Sequence, residues 1–262
     1  MENHIVDIGP LQLAFGLVFI LIAGLASLAY SLKLEKDLFV GTVRTFVQLF
    51  IMGYVLKYVF AMSSIYLVLL VFGFMIFFAA WTISGRVKDK QIPFFFPVFL
   101  SMIFSYFIVS FMVTALIVEV KPWWEPRYFI PLGGMVIGNS MTAIAISIER
   151  LIGELKTKRA EIEMKLCLGA DSREASRQIL QNAMQAGMIP SINSMMGVGM
   201  VFIPGMMTGQ ILAGSDPLTA IKYQIVVMVM LTGSTALGTL LAVLLVRKRC
   251  FNNAEQLVLK PD

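Results

Sequence analysis

The residues of this chain that could do chemistry sit in two apolar stretches. Asn139, Ser140 and Thr142 fall in one; Asn193, Ser194, Thr208 and Gln210 fall in the other. Amides and hydroxyls in so apolar a setting need partners. They can bond one another between helices, or they can line a route for a polar solute, and both readings stand at this point. Pro204 in the second stretch is expected to kink its helix and free a carbonyl, a common way to build a gate. Met195, Met196, Met200, Met206 and Met207 cluster in the same stretch. Thioethers are soft donors that suit Cu(I), but flexible packing is the commoner use of methionine. Carboxylates are scarce there. Glu119, Glu125, Asp216 and Glu149 lie at segment ends and read as loop or helix-end charges. The only histidine is His4, and Cys167 and Cys250 show no CxxC spacing, so no His/Cys metal cage can be assembled. No GxxxxGK[ST] phosphate loop occurs, and a lone Ser or Cys without a base is not a nucleophile site.

Positioning these groups falls to helices that cross a membrane. Of 262 residues, 58% are hydrophobic and only 14% charged, with a mean hydropathy of +0.82. A soluble domain carries about a quarter charged residues, and this apolar excess is too large for one packed core. Seven apolar segments stand out: Leu11–Tyr30, Leu38–Phe60, Ile65–Ile83, Pro93–Val118, Phe129–Leu151, Ile189–Leu212 and Tyr223–Val246. The fold class is therefore all-α, a polytopic transmembrane protein of about seven spans.

The net charge of +5 reads as loop charge facing the cytoplasm rather than as nucleic-acid binding. With the N-terminus outside, Lys33, Lys36, Arg86, Lys88, Lys90, the basic residues of 150–177, Arg247, Lys248, Arg249 and Lys260 fall inside. Only Lys57, Lys121, Arg127 and Lys222 fall outside. This asymmetry, with the acidic Glu2 and Asp7, predicts an outer N-terminus and a cytoplasmic C-terminus. Trp123 and Trp124 are expected as interfacial anchors on the outer side. Arg44, inside the second segment, is expected to snorkel to lipid phosphates. No secretory signal is expected, because the first basic residue after the start, Lys33, follows the first apolar segment.

The domain reading is a single transmembrane unit, 1–262, with one long charged loop at 153–187. That loop reads as helix, Gly turn, helix. Gly169 tolerates the positive φ of a helix C-terminus, and Asp171 with Glu174 forms a capping box. A docking element for a cytoplasmic partner and a solvated amphipathic helix pair both fit. Glu161 and Glu163 precede the turn. Glu163, six positions before Gly169, resembles a degenerate EAA signature of bacterial ABC permeases, with Met164 and Lys165 replacing the two alanines. Gly134/Gly138 and Gly205/Gly209 have GxxxG spacing, which lets helices approach closely.

Several stretches together resemble the UPF0014 permease family. They include Leu34–Asp37, Gln48–Lys57, Ile130–Thr142 with Gly138-Asn-Ser-Met-Thr142, Leu168–Ser176, Ile189–Asn193, and Pro204-Gly-Met-Met-Thr-Gly-Gln210. The resemblance implies an ABC half-transporter: a homodimer of this chain in the bacterial inner membrane, bound to a separate cytoplasmic ATPase subunit that carries ATP and Mg. Bacterial members are linked to iron export and oxidative-stress resistance, and plant members to aluminium tolerance and UDP-glucose transport. The expectation is a permease, not an enzyme, with no cofactor of its own, embedded in membrane lipid and moving iron or another small solute. Glu161, Glu163, Gly169, Ala170, Asp171 and Glu174 would couple it to the ATPase. Asn139, Ser140, Thr142, Asn193, Ser194, Pro204, Met206, Met207 and Gln210 would line the route. The rival class, an ion-driven secondary carrier, would require carboxylates near mid-membrane, and the sequence has almost none.

Overall fold

A computed structural model describes residues 9–62, 64–87, 89 and 91–259. His4, Glu2, Asp7, Lys88, Lys90 and Lys260 lie outside the described residues. A chain in hydrocarbon must satisfy its backbone internally, and a helix does so within one segment. The apolar segments accordingly form α1 (Pro10–Ala29), α2 (Glu35–Met62), α3 (Ile65–Arg86), α4 (Phe95–Met112), α5 (Pro126–Thr157) and α10 (Pro217–Cys250). One π-helical turn, Val113–Ile117, extends α4. Prolines open α1, α5 and α10, where a missing N–H costs nothing. The Asp216 carboxylate caps α10 by accepting from Thr219 N at 3.0 Å.

Six of these helices are long and apolar enough to cross a membrane, where about seven spans were expected. The missing one is Ile189–Leu212. It is divided between the end of α8 (Arg177–Gly197), a break at 198–204, and the short α9 (Gly205–Leu212). Gly199 adopts φ +85° and its N–H bonds Phe202 O at 2.9 Å, turning the chain back on itself. Pro204 does not kink a continuous helix; it stands at the N-cap of α9. The prolines inside helices are Pro131 in α5 and Pro190 in α8.

The chain still traverses the bundle at this point. α5 and α10 meet midway, where Ser140 Oγ and Thr235 Oγ1 lie 3.1 Å apart. Beyond their C-terminal ends, Arg159 Nη1 donates to Leu259 O at 2.5 Å. The two helices therefore run parallel, and 158–216 must return from one face to the other. A discontinuous crossing does this.

α5 is the hub, touching α3, α4, α8 and α10. Tyr106, Phe129, Ile144, Ile148, Leu151 and Leu155 are fully buried around it. At the end opposite the basic loops, Trp123 packs edge-on against Phe111, Phe107 and Phe129, with centroids 5.2–6.3 Å apart. Its ring thus lies within a protein cluster rather than only at a lipid boundary. α1 and α2 form a hairpin closed by Ser27 Oγ donating to Glu35 at 2.7 Å. Ser27 and Val59 are the only buried residues of the two helices.

Candidate functional site

The spacing of α5 and α8 is set by a glycine. A Cβ at Gly187 would lie 2.5 Å from Ala143 O and 2.0 Å from Ser147 Oγ, so only glycine lets the helices meet there. About two turns along α5, nothing lies within 4 Å of a Cβ at Gly138. The helices have parted, and a cleft of about 420 Å³ opens between them. Met135, Gly138, Asn139, Thr142, Ala143, Pro190, Ser191 and Ser194 line it. Asn139 Nδ2 donates one N–H to Met135 O at 3.0 Å, which leaves its amide oxygen and second N–H to meet a solute. Pro190, which lines the cleft, has no N–H to donate to the carbonyl one turn back. The lining is neutral: hydroxyls, an amide and a thioether. Such a surface replaces water around a polar solute but supplies no charge. Among the described residues no three His, Cys, Asp or Glu side chains come together.

Asn139, Thr142 and Ser194 share this cleft. Ser140 does not; it is fully buried and faces Thr235 of α10. Asn193 is exposed on a neighbouring face of α8. Met206 is partly buried against the core, Met207 and Gln210 are half-buried on α9, and Thr208 bonds Pro204 O at 3.1 Å. Met195, Met196 and Met200 are exposed. Of the GxxxG glycines, Gly134 meets Met75 Cε at 3.0 Å, whereas Gly138, Gly205 and Gly209 meet nothing within 4 Å. The close approaches within the chain lie instead at Gly133 under Phe72, Gly187, and Gly238 under Tyr106. Sequence reading passed over Met135, Pro190 and Ser191. Pro190, Ser191 and Ser194 stand at i, i+1 and i+4, a one-sided pattern that marks a common helix face.

At the basic face, α5 ends at Thr157 and α6 (Arg159–Cys167) follows. Gly169, at φ +95°, ends α6, with Ala170 N donating to Lys165 O at 3.1 Å. Asp171 caps the one-turn α7 (Ser172–Ala175): its Oδ1 accepts from Glu174 N at 2.7 Å, and Glu174 Oε2 accepts from Asp171 N at 3.4 Å. Glu161–Lys165 and Arg159–Glu163 pair along α6, each at 2.6 Å. The Lys165 hydrogen bond and charge hold the Glu161 carboxyl below its usual range. Ile162 and Ala175 anchor the element, being almost fully buried. Leu168 at the tip is 81% exposed, and Met164 is 57% exposed.

Two polar ties hold this region to the bundle. Glu154 on α5 receives Lys158 Nζ and Asn182 Nδ2, each at 3.0 Å, and pairs with Arg150 Nε at 2.6 Å. Lys156 pairs with Asp89 of the α3–α4 loop. Burial works to raise the Asp89 pKa, but the Lys156 hydrogen bond and charge outweigh it and hold the carboxyl below its usual range.

This arrangement is that of a multi-pass α-helical membrane protein with a polar cleft and one discontinuous crossing. Residues 10–251 match the family described as "Uncharacterised protein family (UPF0014)", and the chain belongs to that family. It is 36% identical to the probable iron export permease protein FetB of Escherichia coli, over 98% of this chain and 97% of that one. It is 35% identical to the UPF0014 membrane protein YjkA of Bacillus subtilis, over 94% and 97%. It is 32% identical to the protein ALUMINUM SENSITIVE 3 of Arabidopsis thaliana, over 95% and 90%. No solved structure matches. The bacterial relatives are named as permease or membrane proteins, which fits a transporter rather than an enzyme.

Proposed function

We propose that this chain is the permease subunit of an inner-membrane ABC transporter that exports iron. One observation carries the reading: the discontinuous crossing and its polar cleft open outward from the single chain, amid exposed apolar helix surface. Non-helical backbone and polar side chains at that depth need protein or water opposite them. A second copy presenting the same face would supply both and enclose a wet route between two clefts. The Gly turn at Gly169, with Leu168 standing in solvent, supports docking of a separate ATPase, whose motion would reach the cleft through α8. The basic loops support a cytoplasmic position for this face and an outer N-terminus.

Iron as the cargo rests on the name of the Escherichia coli relative. The neutral lining suits a hydrated or chelated ion that keeps its own ligands. The test is ATP-dependent Fe(II) flux in sealed proteoliposomes carrying permease and ATPase, with UDP-glucose in parallel. We expect flux for the unmodified complex and at least a tenfold loss for Asn139→Leu with Ser194→Leu, about 1.4 kcal/mol or more in the barrier. Undiminished flux at normal assembly would sink the cleft as the route. UDP-glucose movement without iron movement would reassign the cargo.

A further inference from the structure

Beyond Cys250 the chain does not trail away. Phe251 pairs with Leu257, Val258 N returns to Cys250 O at 2.9 Å, and Asn252 Oδ1 accepts from Ala254 N and Gln256 N, each at 2.9 Å. This folds residues 251–259 into a tight loop whose Leu257 and Leu259 enter the hydrophobic core, the latter 1% exposed. The loop then grips the Gly169 element on both sides of its turn. Glu255 Oε2 accepts from Ser172 N, the first residue of α7, at 2.6 Å. Leu259 O accepts from Arg159, the first residue of α6, at 2.5 Å.

The grip is built rather than incidental. Glu255 holds φ +60°, a costly backbone for a residue with a Cβ, and there presents its carboxylate to the α7 N-terminus. Ser172 in turn holds the Glu255 carboxyl below its ordinary range. An element seized at two points thirteen residues apart cannot turn without moving its holder. The holder is continuous with α10, which packs on α4, α5, α8 and α9.

We infer that residues 251–259 are a strap that makes the Gly169 element and α10 one rigid body, so that a push on the element reaches the bundle through α10 as well as α8. Glu255 and Leu259 are positioning residues in this scheme, which rests on the ATPase-docking reading above.

Spin labels test it in the full permease–ATPase complex, with Cys167→Ser and Cys250→Ala as background. One pair sits at Arg173 and Ala254, across the strap; the other at Arg173 and Lys36, across the basic face. Between nucleotide-free and vanadate-trapped states, the first distance should hold while the second changes. Lengthening of the first as the second changes overturns the strap alone. If the unmodified chain binds no ATPase, the docking reading falls and takes the strap with it; if the ATPase binds and neither distance changes, the element carries no push and the strap inference falls alone. A second measurement uses Glu255→Ala with Arg159→Ala. Fe(II) moved per ATP should fall at least about fivefold with the ATPase still bound, and an unchanged ratio overturns the inference.

Discussion

Asn182 of α8 donates its side-chain amide to Glu154 of α5 at 3.0 Å, on the same carboxylate oxygen that receives Lys158. This is the polar fastening between the two helices that enclose the cleft. The Glu154 side chain is only 8% exposed, so its partners are arranged around a single enclosed charge. Glu154→Ala leaves Asn182 without its acceptor, while Arg150 and Lys158 can turn to solvent, and should cost about 1–2 kcal/mol. Glu154→Gln, which keeps an acceptor, should cost less, about 1 kcal/mol or under. Thermal unfolding in detergent, with Asn182→Ala to close a double-mutant cycle, measures both. A coupling energy near zero would show that the two residues do not act together.

Gly187→Ala should destabilise the protein by about 1–3 kcal/mol, because the added methyl meets the Ala143 carbonyl, which is backbone and cannot rotate aside. Adding Ser147→Ala should recover only part of the loss, since it removes the hydroxyl and leaves that carbonyl in place. Gly138→Ala, in open space, should cost well under 1 kcal/mol. The same unfolding assay ranks the three, and equal losses at 187 and 138 would contradict the packing described.

Asp89 carries a pH signature. Its folded pKa is depressed, so its pairing with Lys156 stabilises the folded state above the ordinary aspartate pKa of about 4 and fades as pH falls through the lower folded value. Asp89→Asn should therefore lower stability at pH 7 by about 1–3 kcal/mol, and the gap from the unmodified chain should close only below about pH 4. A gap that closes already near pH 6 would implicate a different group.

Gly169→Arg should leave the bundle intact, because a Cβ there meets nothing within 4 Å. Its φ of +95° disfavours any side chain, at about 1 kcal/mol. Co-purification of the ATPase should be abolished while yield holds and the unfolding temperature falls by only about 2–4 °C. Retained ATPase would place the docking surface elsewhere.

Much of this architecture was legible because lipid imposes long unbroken apolar runs. α1 and α3 match their segments within three residues, while α10 runs six residues further at its start and four at its basic end. Ile189–Leu212 misled because hydropathy counts composition, not continuity. Gly197, Gly199 and Pro204 are tolerable one at a time in an apolar stretch and together end the helix. The charged loop at 153–187 misled in the opposite sense: its second amphipathic helix and the start of the sixth segment are one helix, α8. In the cleft, polar type identified Asn139, Thr142 and Ser194, but Ser140 carries the same chemistry on the opposite face of α5. Only the rotation of the helix, set by packing at Gly133 and Gly187, separates them. The strap left no periodic signal, since nine residues with two buried leucines look like a tail.

The hairpin of α1 and α2 touches the rest of the molecule so lightly that the remaining crossings keep their core without it. Its mooring is Val59 with Val55 and Leu56 beside it, Arg44 over the Phe78 ring of α3, and a few contacts of α2 with α5. Local stability follows packed contacts, so the membrane-spanning protein consists of a stiff pentad and an outrigger. Lipid tails can slide between the two at almost no cost in protein packing, which makes that seam the place where bilayer thickness and composition would be felt first.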